Sequence, residues 1–133
     1  SDWYSEQAWL RMKVDGGMRL DTDFVEITDW KTGKSAGKEV RNMQQAQIYA
    51  AGVFMREPEV NYVQPVFAYT DEGKLIDLNV IERKSVPRYI SRFTRRANKL
   101  TTCINFKAKP NRMNCKWCDF GPNGTQACAH GVT

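Results

Sequence analysis

The sequence predicts a mixed α/β fold: a small central β-sheet of mixed direction flanked by helices, followed by a cysteine-containing C-terminal tail. Three observations lead there. Runs with alternating apolar and polar residues cluster at 9–31 and 61–82. Stretches with apolar residues three and four apart lie at 39–55 and 85–104. All of Cys103, Cys115, Cys118 and Cys128 fall near the C-terminal end. With 133 residues, 41% of them hydrophobic, the chain is long enough for one domain with a modest core. The expectation is a single domain over 1–133, with 103–133 a Cys-rich tail packing on it.

The elements follow in order. Trp9 to Asp15 alternates and reads as a strand, with Gly16-Gly17 as its turn. Met18 to Lys31 reads as one or two further strands. Thr32 to Lys38 is a loop rich in Gly and Lys. From Glu39 to Met55, Met43, Ala46, Ala50, Val53 and Phe54 share a helical face, and Glu57-Pro58 ends it. Asn61–Tyr69 and Lys74–Glu82 flank Asp71-Glu72-Gly73 as a hairpin. Pro65 marks the first of these as an edge or bulged strand. Ser85 to Ile104 is again helical, with Ser85 a candidate cap and Pro87 suited to the first turn. Val86, Ile90, Phe93, Ala97, Leu100 and Ile104 would line its buried face.

Composition excludes several classes. No apolar run approaches the ~18 residues of a membrane span, and no secretory signal is visible, so the expected setting is cytoplasmic and without a membrane. The single His130 rules out chemistry built on several histidines. Twenty Lys and Arg against fifteen Asp and Glu give a net charge of +5, which makes a polyanionic partner plausible.

The cysteines suggest a metal more readily than disulfides. Cys115-Lys116-Trp117-Cys118 places two thiolates on one tight turn, and Cys128, Cys103 and His130 are further donors. Four thiolates suit a [4Fe–4S] cluster or Zn2+; three with His130 suit Zn2+.

A second constellation can do chemistry. Side chains two apart on a strand share a face, so Asp29 and Lys31 project together and Trp30 projects oppositely. Asp15, at the end of the preceding strand, would lie beside them. Two adjacent carboxylates repel unless a cation joins them, and a hard ion such as Mg2+ or Mn2+ prefers oxygen ligands. The Trp30 carbonyl would complete the protein's share of the shell. Such an ion lowers the pKa of bound water and stabilises a phosphoryl transition state. The Lys31 ammonium would orient the water or offset charge on the phosphate.

The stretch Ile27-Thr28-Asp29-Trp30-Lys31-Thr32-Gly33-Lys34 resembles the Asp-[Tyr/Trp]-Lys-Thr-Gly-Lys signature of RecB-type nucleases in the PD-(D/E)XK superfamily. Asp15 resembles that family's preceding acidic motif, and Gln45-Ala46-Gln47-Ile48-Tyr49 its Gln-x-x-x-Tyr helix motif. Cys115, Cys118 and Cys128 resemble its terminal cysteines. The resemblance implies a restriction-endonuclease-like core and Mg2+- or Mn2+-dependent hydrolysis of DNA phosphodiesters. Asp15 and Asp29 would bind the metal, and Lys31 would assist the water. Gln45 would steady the site or touch a phosphate, while Tyr49 would pack beside it or contact DNA.

Members of the family carry a further acidic residue on a leading helix; Glu6 is the Glu available here. Iron–sulfur members take one cysteine from before the acidic motif, where this chain has none, so Cys103 would substitute. DNA, single-stranded or at duplex ends, is the expected partner. Lys34, Lys38 and the helical stripe Arg88, Arg92, Arg95, Arg96 and Lys99 would hold its phosphates. The implied role is exonuclease or structure-specific endonuclease in recombination, repair or phage DNA metabolism, with a helicase or recombination protein as companion. A second reading keeps the fold without catalysis, as a nucleic-acid-binding or docking module with a Cys-ligated metal. Oligomeric state is not legible.

Overall fold

The computed structural model describes residues 10–105 and 107–132. The chain forms two compact units, Ser1–Asn98 and Lys99–Thr133. In the first unit, β1 (Gly16–Asp21) and β2 (Phe24–Lys31) form an antiparallel hairpin. Helix α1 (Glu39–Arg56) then carries the chain to β3 (Tyr62–Tyr69), which pairs in parallel with β2. A parallel pair requires such a crossover. β4 (Lys74–Asp77) and the short β5 (Ile81–Glu82) both pair antiparallel with β3 on its other side. The result is the expected mixed sheet flanked by helices, with the order β1-β2-β3-β4 and β5 extending the β4 side. Helix α2 (Val86–Thr101) follows a single 3-10 turn.

The core lies between the sheet and the helices. Ile27, Val63, Phe67 and Tyr69 from the sheet meet Ala46, Ala50 and Phe54 of α1, with Tyr89 and Phe93 of α2. Ala46 and Ala50 on the buried stripe of α1 let that helix lie close to the strands, because each presents only a methyl group. At one end the phenol of Tyr69 accepts a 2.8 Å bond from Asn42, so the core closes on a satisfied polar pair.

Three sequence expectations are corrected. Residues 10–14 form no strand, and Gly16-Gly17 opens β1 instead of making a turn; Trp9 lies outside the described residues. β1 itself takes the free edge of β2, beginning with Gly16 opposite Thr28. The alternation in 10–14 records a segment whose Met12 and Val14 are half-buried while Arg11 and Lys13 are exposed. Met12 reaches α1 where the absence of a side chain on Gly52 makes room; a Cβ there would fall 2.3 Å from its terminal methyl.

Pro65 sits in the central strand, not an edge. Its carbonyl accepts from Leu78 on the β4–β5 side, so its missing N–H faces the gap between those two strands, where no ladder bond is lost. Helix α2 ends at Thr101, and its buried residues are Tyr89 and Phe93, whereas Leu100 and Ile104 are exposed.

Arg83 locks the C-terminal end of α1. Its guanidinium donates to the carbonyls of Phe54 at 2.8 Å, Glu57 at 2.6 Å and Val60 at 2.7 Å. Terminal helix carbonyls lack intrahelical partners, and a planar fork can serve several at once. In the second unit, α3 (Arg112–Lys116) is capped by Asn111, which accepts from the Asn114 amide at 2.8 Å. Tight turns follow through Cys118, Gly121 and Cys128. Among the described residues, no helix is long and apolar enough to cross a membrane.

Arg83→Ala is expected to destabilise the chain by about 2–3 kcal/mol in urea unfolding, because it strands buried carbonyls. Arg83→Lys should recover only part of the loss, since an ammonium cannot fork.

Candidate active site

Strand alternation builds the site. On β2, Ile27, Asp29 and Lys31 face α1, and Trp30 faces away with 61% of its surface exposed. Ile27 is core, so Asp29 one step further is also buried, at 5% exposure, and Lys31 emerges at the rim. From α1, Gln45 and Tyr49 stand one turn apart and meet this row.

The four side chains form a closed network. The Lys31 ammonium lies 2.6 Å from Asp29 Oδ2 and donates to Gln45 Oε1 at 2.7 Å. Gln45 Nε2 donates to Asp29 Oδ1 at 3.2 Å and to the Tyr49 hydroxyl oxygen at 2.7 Å. The Tyr49 hydroxyl donates in turn to Asp29 Oδ1 at 3.1 Å. Lys31 also stands 5.3 Å from the centre of the Phe67 ring, which braces it from below. Burial raises the Tyr49 pKa above its ordinary value; the Gln45 bond partly opposes this, and the charges of Asp29 and Asp15 add to it. Tyr49 therefore stays a neutral donor at any working pH.

Asp15 arrives by a different route than expected. It immediately precedes β1, and its Oδ2 accepts a 3.0 Å bond from the Trp30 N–H. That bond tethers the exposed carboxylate to the backbone between Asp29 and Lys31. The N–H and C=O of one strand residue share a side, so the Trp30 carbonyl opens on the same edge as Asp15.

The donor chemistry fits a hard divalent ion. Asp15, Asp29 and the Trp30 carbonyl offer only oxygens. Asp29 Oδ2 is buried and accepts no hydrogen bond, and the Lys31 ammonium lies 2.6 Å from it. Glu6 lies outside the described residues. Among the described residues, no three His, Cys, Asp or Glu side chains converge as a ready metal cage. The same holds for the cysteines. Cys103, Cys115, Cys118 and Cys128 are free thiols, and no three of them, with or without His130, form a group that could hold a [4Fe–4S] cluster or Zn2+. Cys115 is buried, Cys118 is exposed, and the other two are half-buried, so their proximity in sequence is spent on successive turns.

Two clefts adjoin the network. One, of about 480 Å3, has Asp15 at its wall together with the start of β1 and the end of α1. The other, of about 470 Å3, is lined by Lys31, Gln45 and Tyr49 and by Arg11, Lys13, Arg41, Gln44 and Arg96. Of the residues expected to hold phosphates, Arg96 lies in this cleft and donates to Gln44 at 3.0 Å. Arg92 is half-buried and bonded to Gln47 on α1, so it holds the two helices together. Arg88 stacks on Tyr89, while Arg95 and Lys99 are simply exposed. Lys34 is exposed on a loop whose Gly33 and Ser35 amides are held by Asp71 and Glu72 at 2.7 and 3.0 Å. Lys38 lies 5.6 Å from the Tyr69 ring centre.

Sequence reading missed Lys13, Arg41 and Gln44. Arg41 carried a usable signal, since it stands one helical turn before Gln45 and so shares its face.

The sequence model of the PD-(D/E)XK nuclease superfamily matches residues 13–122, a span that contains Asp15, Asp29, Lys31, Gln45 and Tyr49. No curated protein matches the chain. A crystal structure described as that of SSO0001 is similar, with 18% identity and a TM-score of 0.46 over 90% of this chain. This chain spans about half the length of that protein (50%). With its family match covering most of its length, the chain belongs to the PD-(D/E)XK nuclease superfamily.

Proposed function

We propose that the chain is a deoxyribonuclease that hydrolyses phosphodiester bonds in DNA with Mg2+ or Mn2+. The observation that carries this is the joined set of Asp29, Lys31, Gln45 and Tyr49, with Asp15 tied to the intervening backbone. Asp15, Asp29 and the Trp30 carbonyl would hold the ion. When bound, it supplies an activated water and stabilises negative charge on the phosphate.

The chain's own groups prepare the rest. Gln45 presents its carbonyl oxygen to Lys31 and its amide N–H to Asp29, so one side chain sets the position of both. Tyr49 donates to Asp29 Oδ1, which turns the other oxygen, Oδ2, toward Lys31. Lys31 has three N–H bonds; Asp29 and Gln45 occupy two directions, and the third is free for a water or a phosphate oxygen in the cleft it lines. Hydrolysis adds the water oxygen to phosphorus and breaks the bond to the leaving nucleotide oxygen. An ammonium at the cleft wall offsets the charge that builds on the phosphate oxygens. The Asp29–Lys34 signature supports a place in recombination, repair or phage DNA metabolism.

The deciding experiment incubates the chain with labelled single- and double-stranded DNA in Mg2+, Mn2+ or EDTA. Cleavage is expected with either ion and none in EDTA. Asp29→Ala and Lys31→Ala should each lower kcat by roughly 100-fold or more while the oligonucleotide still binds. Wild type that binds DNA and leaves every substrate intact refutes the proposal. Gln45→Leu should cost less, about tenfold, because it misplaces Lys31 without removing it.

Tyr49 gives a separate check. Its raised pKa means the folded state holds the phenol neutral more strongly than the unfolded chain does. That contribution is present below the ordinary tyrosine range and is lost as pH rises through it. Thermal stability should fall more steeply above pH ~10 in wild type than in Tyr49→Phe. Equal slopes would remove Tyr49 from the network.

A further inference from the structure

We propose that the cleft beside Lys31, Gln45 and Tyr49 is a single-strand channel in which Lys13, Arg41 and Arg96 grip the phosphates next to the one hydrolysed. This rests on the reading of the site as a nuclease and adds the form of its substrate. The cleft is cationic: among the described residues, no carboxylate lines it. Lys13 and Arg41 are exposed and have no ion-pair or hydrogen-bond partner among the described residues. Arg96 is held by a neutral partner, the Gln44 carbonyl oxygen at 3.0 Å, so its position is set and its charge left uncompensated. Unpaired cations repel one another, and gathering them from three separate segments has no structural return unless an anion enters.

The size and the remaining lining select the form of that anion. About 470 Å3 is the scale of a small-molecule pocket, with room for about one or two nucleotides. Leu10, Met12 and Ile48 supply apolar wall between the cations. A single strand presents both phosphates and open base faces to such a wall, whereas a duplex stacks its bases away from it. The three cations come from the segment before β1, from α1 and from α2, so a strand bound by all of them runs past the third N–H of Lys31.

The test measures binding in EDTA, where no cleavage can interfere. A fluorescent oligodeoxythymidylate and a blunt duplex of equal length are titrated with the full chain from 0.1 to 1 M KCl. Wild type should bind the single strand more tightly. Each phosphate contact on a single strand contributes about 0.7 to the slope of log affinity on log salt. Arg41→Gln with Arg96→Gln should therefore lower the slope by about 1.4, which is about 25-fold weaker binding at 0.1 M and near equality at 1 M. Lys13→Gln, which touches no helix packing, should lower it by about 0.7 alone. Lys74→Gln with Lys84→Gln removes the same charge outside the cleft and should leave the slope unchanged. Circular dichroism of each variant verifies folding. Tighter binding of the duplex, or an unchanged slope in both the double variant and Lys13→Gln, overturns the channel. A chain that binds as described but never cleaves DNA leaves the channel standing and fails only the nuclease reading. Asp29-dependent cleavage with unchanged salt slopes fails only the channel.

Discussion

The site depends on one electrostatic problem: a carboxylate, Asp29, is placed where the core ends and water is excluded. A buried, unmatched charge is costly, so the surroundings must compensate it. Here an ammonium stands against one oxygen, and an amide and a phenol donate to the other. Every partner is itself fixed by another member, since Gln45 bridges Lys31 and Tyr49. Orientation of the reactive groups is thus a by-product of satisfying a buried charge. The oxygen that accepts no hydrogen bond, Oδ2, is the one the Lys31 ammonium faces at 2.6 Å.

The fold explains why that carboxylate is held so firmly. β2 is paired on both sides, to β1 and to β3, so its register cannot slip without turning Asp29 and Lys31 to the opposite face. Asp29 stands opposite Phe67 and Lys31 opposite Tyr69 in the parallel ladder, and both partners are core residues. Helix α1 approaches through Ala46 and Ala50, and its far end is clamped by Arg83. The helix that delivers Gln45 and Tyr49 is therefore anchored along its buried face and at its C-terminal end.

Charge placement follows a different logic from charge spacing. The arginine-rich stripe of α2 looks like one continuous phosphate-binding surface when read along the helix. Packing divides it: Arg92 turns inward to Gln47, Arg96 turns to the cleft, and Arg95 stays in solvent. The cations nearest the network, Lys13, Arg41 and Arg96, come from three segments, and the α2 stripe supplies one of them. A long side chain's partner depends on what lies within its reach, and that is a property of the assembled surface.

Much of the molecule was legible from local pattern. Strand spacing put Asp29 and Lys31 on one face, helical spacing put Gln45 and Tyr49 on another, and the resemblance joined the two sets; their meeting is a matter of packing. Those patterns are reliable because the side chain's direction follows from the backbone repeat alone. The extended run before Asp15 was misread because alternation reports which side chains are covered, and Met12 is covered by a helix instead of a paired strand. Pro65 was misread because its tolerance depends on a gap in a neighbouring strand. Close spacing of cysteines along a chain does not fix where successive turns aim their side chains, and among the described residues no three of them group. Sequence by itself determined the repeat, the faces and the acidic–lysine chemistry, since these are set by covalent geometry over a few residues. Tertiary structure decided the Asp15 tether, the Arg83 clamp and the cationic cleft, since each joins groups distant in the chain whose meeting is determined only by how the layers pack.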